Sequence, residues 1–354
     1  MNLSLDLENL TVLILSHQRQ HCLNSVLPYW EKFGIKTIVL DNSLEPLQDY
    51  SLYKHCTYIH TQENFNIRSK IAANLVKTKY AIVAADDEIY LPTALKNMSH
   101  FLDENPDYSS VGGAVLAVWR YGPTIAANWA YRSTSNYHNS ETNAHARVAY
   151  HTGNGVDPTT SFFTCNMTRV ENLVNCLKLY GEAPILATDA ISVLSICAAG
   201  KSYYTKDLYW IRNWNEFPKS HKGWDRSVYL HDWWNEKRGT QEWRAFYSTL
   251  SEFYQKNYNR DDFENTWAMI LEASRILQPQ VNKKKFKNNS SFITSKSLEN
   301  VKYLVKKLLN ISNMQNSVET LNYMSQHGIH YESSEVNEAI KIVSGINPYT
   351  DWSS

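Results

Sequence analysis

The stretch Tyr80-Ala-Ile-Val-Ala-Ala-Asp-Asp-Glu-Ile-Tyr-Leu-Pro92 decides how this chain is read. Its apolar, β-branched run, Ala81 to Ala85, stops abruptly at three acids, Asp86, Asp87 and Glu88. A continuous apolar run is what a buried parallel strand looks like, and ligands of open α/β sheets bind in the crevice beyond the strand ends. Three adjacent carboxylates repel one another, and a divalent cation is the usual resolution. Oxygen-only ligation suits Mg²⁺ or Mn²⁺, shared with the phosphates of a substrate. The same acids equally suit the first turn of a helix opened by Pro92-Thr-Ala-Leu-Lys-Asn-Met98.

Working outward, residues 11–15 read as a buried strand. Residues 22–33 carry apolar side chains at helical spacing, with Gly34 as a stop. Residues 35–40 form a second strand ending at Asp41-Asn42-Ser43, residues 58–60 a short third, and residues 66–77 a helix. Strand and helix alternate with short connections, which argues for right-handed βαβ units and a parallel sheet. Residues 111–119 are another strand. The stretch from Tyr121 to Pro158 is polar, aromatic and rich in histidine (His138, His145, His151), and its weak periodicity reads as a long functional loop or lid. Helices are expected over 169–180, over 189–199 with Gly200 closing it, and over 233–275.

The 354 residues divide into an α/β domain over 1–220, a helical, aromatic-rich extension over 221–280, a Lys/Asn/Ser linker over 281–297 and a helical segment over 298–354. Within the last, residues 298–309 form a basic amphipathic helix with Lys302, Lys306 and Lys307. It reads as a peripheral membrane contact, a solvated face or a dimer contact. With 35 basic and 35 acidic residues, no global field favours nucleic acid or an anionic membrane. The 23 Tyr and 11 Trp fit either a sugar-stacking surface or an ordinary large core. Cys22, Cys56, Cys165, Cys176 and Cys197 lack metal-site spacing and point to a reduced cytoplasmic compartment. No basic stretch at the N-terminus leads into an apolar segment, so no signal peptide is expected.

After the first strand, Ser16-His17-Gln18-Arg19 stands where a dinucleotide-binding turn would need GxGxxG. Walker, GxSxG and HExxH motifs are also missing from the sequence. What remains is a sheet with polar strand ends at residues 17–19, 41–42 and 86–88.

In order and spacing these segments resemble an inverting glycosyltransferase of the GT-A fold, similar to glycosyltransferase family 2 and its bacterial relatives. Leu15-Ser16-His17-Gln18-Arg19 takes the place of a Pro-Thr-Tyr-Asn-Arg-like pattern, and Leu40-Asp41-Asn42-Ser43 matches Val-Asp-Asn/Asp-Gly/Ser. The resemblance implies that Asp41 contacts the nucleobase of a sugar-nucleotide donor, with Ser16, Gln18, Arg19, Asn42 and Asp86 around it. Asn64-Phe-Asn-Ile-Arg-Ser-Lys-Ile-Ala-Ala-Asn74 resembles Asn-x-Gly-x-x-x-Ala-Arg-Asn and offers Arg68 or Lys70 to the donor. The acids stand where the family has its Asp-x-Asp metal motif. Aligned one way, Asp86 and Glu88 are the pair; aligned the other, Asp87 is the main ligand of Mn²⁺ or Mg²⁺. His221 is a further candidate for the metal or a phosphate.

A second signature, Thr188-Asp189-Ala-Ile-Ser-Val-Leu-Ser-Ile-Cys-Ala-Ala-Gly200, lines up with Glu-Asp-x-x-Leu-x-x-Arg-x-x-x-Ala-Gly, with Thr188 for Glu and Ser195 for Arg. It implies that Asp189 is the catalytic base, although a helix cap would place an acid there too. Tyr209-Trp210-Ile-Arg212-Asn213-Trp214 resembles the family's Arg-Trp-rich acceptor segment, so Trp119, Trp129, Trp210, Arg212 and Trp214 are read as acceptor contacts. The implied reaction moves a sugar from a nucleotide diphosphate to a hydroxyl of a glycan or lipid-linked glycan, at home in bacterial surface polysaccharide synthesis at the inner face of the membrane. Two rivals are a sugar-1-phosphate nucleotidyltransferase, which would want a Gly-rich basic loop after the first strand, and a non-catalytic glycan-binding protein.

Overall fold

The apolar runs fold as α/β units in a computed structural model that describes residues 7–121, 124–132, 136–153, 164–214, 230–257, 262–277 and 315–346. The first half runs β1 (Leu10–Ser16), α1 (Gln20–Lys32), β2 (Lys36–Asp41), β3 (Cys56–His60), α2 (Phe65–Leu75) and β4 (Tyr80–Ala84). These strands pair in parallel in the order β3-β2-β1-β4. The central strand is apolar from Val12 to Leu15 because both of its faces are covered. Val12 and Ile14 join one core with Leu23, Val26, Leu27 and Trp30 of α1, whereas Leu13 joins a second core with Ala72 and Ala73 of α2. Gly34 ends α1 as expected, at φ +64, where glycine alone is unstrained.

The second half runs β5 (Ile89–Tyr90), α3 (Pro92–Glu104), β6 (Tyr108–Tyr121), β7 (Thr124–Ala130), β8 (His138–Asn139), α4 (Ala144–Gly153), β9 (Met167–Arg169), α5 (Val170–Tyr180), α6 (Thr188–Ala199) and β10 (Lys201–Asn213). Strand β9 lies antiparallel between β4 and β6. Strand β6 runs parallel to β10 and antiparallel to β7, while β5 and β8 pair antiparallel with β10. The sheet is thus parallel in its first half, mixed in its second, and flanked by helices.

The stretch from Tyr121 onward is more structured than a loop: it contains β7, β8 and α4. The helical extension is α7 (Leu230–Glu236), α8 (Gln241–Asn257) and α9 (Phe263–Leu277). Its Trp233, Trp234, Phe246 and Trp267 are buried against one another, so this cluster of aromatics is core. The expected linker and basic helix lie outside the described residues. Among the described residues no helix is long and apolar enough to cross a membrane. All five cysteines are free thiols.

Strand β11 (Gln315–Asn316) and helices α10 (Ser317–Gln326) and α11 (Ser333–Gly345) return to the sheet. Leu321, Met324, Val336, Ile340 and Val343 complete the core that α1 begins. Helix α3 starts at Pro92 without a side-chain cap from its own N-cap residue, Leu91. Glu335 of α11 does that work: Oε2 accepts the Thr93 backbone N–H at 3.1 Å and Oε1 accepts the Thr93 hydroxyl at 2.7 Å. Lys32 of α1 adds an ion pair with Glu338 at 2.6 Å.

Close packing between β6 and the chain before β9 requires Gly112. A Cβ there would stand 2.5 Å from Asn166 Oδ1 and 2.5 Å from the Tyr204 ring, two groups already joined by a 2.7 Å hydrogen bond. Gly112→Ala is expected to cost about 1–3 kcal/mol of stability, as overpacking of a filled core does. Urea unfolding of the variant checks this, and an unchanged midpoint would show that the Asn166–Tyr204 pair yields freely.

Candidate active site

Strand β4 ends at Ala84 and the acids occupy the connection to β5. They are therefore not the N-terminal cap of α3, whose first turn holds no acid. Each of the three is 5 % exposed, and buried carboxylates need cationic or hydrogen-bonding partners. Arg19, just beyond β1, supplies them to the first two. Its guanidinium meets Asp86 Oδ1 at 2.8 Å and Asp87 Oδ2 at 2.5 Å, while the Ser16 hydroxyl donates to Asp86 Oδ2 at 2.7 Å. Glu88 is served from β10. Strand periodicity puts Trp210 and Arg212 on one face. Trp210 Nε1–H donates to Glu88 Oε2 at 3.0 Å, and Arg212 Nε lies 3.2 Å from Glu88 Oε1.

Electrostatics follow from this geometry. Burial pushes Asp86 up to about 6, opposed by Arg19 and reinforced by Asp87. Burial likewise pushes Glu88 up to about 8, opposed by Arg212 and reinforced by Asp87. Desolvation works against the Arg19 guanidinium, yet Asp86 and Asp87 outweigh it and hold its pKa above the ordinary value.

At the end of β2, Asp41 is fully buried. Ser43 Oγ–H donates to Oδ1 at 2.7 Å, and the Tyr58 hydroxyl (2.8 Å) and Gln20 Nε2 (3.1 Å) donate to Oδ2. Asn42 is tied to His17, whose Nδ1 lies 2.6 Å from Asn42 Oδ1, and its own Nδ2 donates to the Thr61 carbonyl at 3.2 Å. Gln18 turns the chain sharply after β1 at φ +56 and lies 3.4 Å from the Asn42 carbonyl oxygen. Arg68 is 4 % exposed and donates to the carbonyls of Ser16 and Leu40 (3.0 Å to the latter). It joins the ends of β1 and β2. Lys70 is apart from this group, in a half-exposed ion pair with Glu182 at 2.6 Å.

Asp189 lies in the first turn of α6, half-buried. It accepts the Thr164 hydroxyl at 2.5 Å. Buried Cys165 follows Thr164 in the chain, and burial pushes its thiol up, reinforced by Glu88 and Asp189.

The acceptor aromatics divide. Trp210 is 1 % exposed and stacked between Tyr90 (5.8 Å) and Tyr131 (6.1 Å), so it offers no face to a sugar and instead orients Glu88. Arg212 stacks over Trp210 and Trp214 at 5.2 and 5.4 Å and donates to the Tyr131 hydroxyl. Trp214, 49 % exposed, is free to stack; Trp119 is partly buried on β6; Trp129 is 8 % exposed. His221 lies outside the described residues. His151 is buried against Tyr137, and His138 lies against Tyr108. Tyr58, Gln20, Thr164 and Tyr131 are additions that no motif announced, since each acts through a contact distant in sequence.

Could the acids hold a divalent cation? Among the described residues no group of three His, Cys, Asp or Glu side chains is arranged to do so. All four oxygens of Asp86 and Glu88 are engaged by Ser16, Arg19, Trp210 and Arg212, whereas Asp87 gives one oxygen to Arg19 and has no further partner among the described residues. Such a donor set fits a cation held by one carboxylate together with substrate phosphates and water, a common arrangement for Mg²⁺.

No family model matches this chain, and no curated protein does. Among solved structures it is similar to residues 1–349 of S. aureus TarS, at 12% identity over 76% of this chain and 89% of that one, with a TM-score of 0.42. The same TarS fragment in complex with UDP-GlcNAc gives 12% identity, 76% and 90% coverage and a TM-score of 0.43. A longer TarS structure gives 0.40, with 54% of that chain covered.

The raised pKa of Glu88 has a measurable sign. The folded protein keeps this proton to about 8, and the ordinary value is 4.5, so its contribution to stability falls as pH rises between them. Glu88→Gln, which mimics the protonated acid, is expected to gain melting temperature relative to wild type across that interval. A difference that stays constant with pH would mean that Glu88 is ionised throughout.

Proposed function

We propose that this chain is a glycosyltransferase that takes a sugar from a nucleotide diphosphate and passes it to a hydroxyl with inversion. The observation that carries the reading is the convergence of Arg19, Asp41 and Asp86–Asp87–Glu88 at the C-terminal ends of three parallel strands, the place where open α/β sheets bind nucleotides. Asp41 takes the nucleobase. Its carboxylate has about four acceptor sites, and the three internal donors fix its direction while leaving room for one more. Arg19 moves from the carboxylates to the incoming phosphates. Asp87 would hold Mn²⁺ or Mg²⁺, with Asp86 and Glu88 kept in place by Ser16, Trp210 and Arg212. Once bound, the cation neutralises charge on the leaving diphosphate.

Asp189 is the base that takes the acceptor proton, oriented by Thr164 in the N-terminal turn of α6. Trp214 offers the exposed ring for an acceptor sugar, and a glycan or lipid-linked glycan of a surface polysaccharide is the acceptor in this reading. One observation favours a non-catalytic glycan-binding reading instead: Arg19 and Arg212 already neutralise the acids, so nothing in the resting site demands a metal or a nucleotide.

Two measurements separate these readings. A thermal-shift panel of UDP, GDP, CMP, ADP and dTDP, each with and without Mn²⁺, is expected to give one nucleotide that stabilises only with metal, and to lose that effect in Asp87→Ala. UDP-GlcNAc is the first donor to assay for turnover. Asp189→Asn is expected to lower that turnover by about 10²–10⁴-fold while leaving nucleotide binding intact, as loss of a general base does. Silence across the nucleotide panel would favour the glycan-binding reading, and full activity in Asp189→Asn would remove the base.

A further inference from the structure

A pocket of about 250 Å³ is lined by Trp129, Arg132, Asn136, Lys206, His327 and Ile329. Its walls come from the end of β7, the bulged middle of β10 and the turn between α10 and α11, and of its lining residues Trp129 alone was read above as an acceptor contact. Trp129 and Ile329, 8 % and 4 % exposed, form an apolar floor, and the four polar residues stand exposed at the rim. Two of these are permanent cations, and among the described residues no acid lines the cavity. Among the described residues neither Arg132 nor Lys206 is paired with a carboxylate.

Arg132 is also held in place. The Arg132 guanidinium sits over the rings of Trp129 and Tyr323 at 5.5 and 4.8 Å, so its planar fork is pre-oriented. His327 Nδ1–H donates to the Tyr323 carbonyl at 2.8 Å, which leaves Nε2 for the pocket. Tyr131 explains the position of Arg132. With φ at +53, a conformation that non-glycine residues rarely adopt, it reverses the chain directly after β7. Its ring then stacks on Trp210 and its hydroxyl meets Arg212, while the next residue folds back on Trp129. The pocket is one residue removed from the pair that holds Glu88.

We propose that this pocket binds an oxyanion carried on a sugar, a phosphate monoester or a carboxylate, with Arg132 and Lys206 taking the charge and Trp129 beneath the ring. The acceptor is then an anionic glycan; that word rests on the transferase reading, whereas the binding does not. A charge-assisted, bidentate contact from Arg132 gives the selectivity over a neutral sugar.

Isothermal titration of the full chain, with UDP added to occupy the nucleotide site, tests it with glucose 6-phosphate, glucuronate and neutral glucose. At least one of the two anions is expected to bind where glucose does not, and which one binds names the oxyanion. Binding should weaken at least tenfold in Arg132→Gln/Lys206→Gln and in Lys206→Glu alone, with melting temperature and UDP affinity unchanged. Failure of both anions to bind, or equal binding by wild type and both variants, overturns the proposal. Failure of UDP alone counts against the transferase reading and leaves the pocket result legible, because the variants locate it.

Discussion

Three adjacent carboxylates at 5 % exposure cannot be buried without nearby positive charge, and the bridge from Arg19 to Asp86 and Asp87 is where this fold meets that requirement. The bridge ties the end of β1 to the end of β4, and Ser16 repeats the tie by donating its hydroxyl to the Asp86 carboxylate. Arg68 does the equivalent for β1 and β2 through their terminal carbonyls. The ends of three parallel strands are thus locked by arginines and hydroxyls into one polar surface. In the proposed reaction a substrate phosphate would meet a cation already in position, and a metal would take over the carboxylates that now hold it.

Glu88 is held by a different device. Its partners come from β10, more than a hundred residues later, and they work because Trp210 is enclosed between two tyrosines. A buried indole stacked beside Tyr90 and Tyr131 is a restrained hydrogen-bond donor, and Arg212, over the same ring, is restricted with it. The aromatic wealth of the chain therefore serves largely as support. Trp214, at the end of that row, is the member that reaches solvent.

What the sequence disclosed depended on how each element is buried. Strands β1, β2 and β4 are covered on both faces, and their unbroken apolar runs made them legible. Strand β10 interleaves Tyr, Lys and Asp because its middle is bulged, and it was read only as a motif. Helix α4 escaped notice for another reason. Two of its four buried positions are Arg147 and His151, and Arg147 is buried because it caps the C-terminal carbonyls of α6, Cys197 at 2.5 Å and Ala198 at 3.1 Å. A buried arginine bound to distant carbonyls leaves no mark in hydrophobic periodicity. The acid triplet was visible as a site, but its alternative as a helix cap could be dismissed only by seeing that β5 intervenes. The partners of Asp41, namely Tyr58 and Gln20, were hidden because neither forms a recurrent spacing with it.

The cap that Glu335 places on α3 bears on how the chain comes together. Helix α3 begins four residues after the acid triplet, and its first amide waits for a side chain 242 positions downstream. The same late segment covers apolar surface on α1 and β6. During synthesis the parallel half of the sheet emerges first, with the flank of its polar edge still frayed and part of its core open. Contacts this remote in sequence are slow to close. An adhesive apolar surface on α1 and β6 therefore stays open until α10 and α11 have been made and docked.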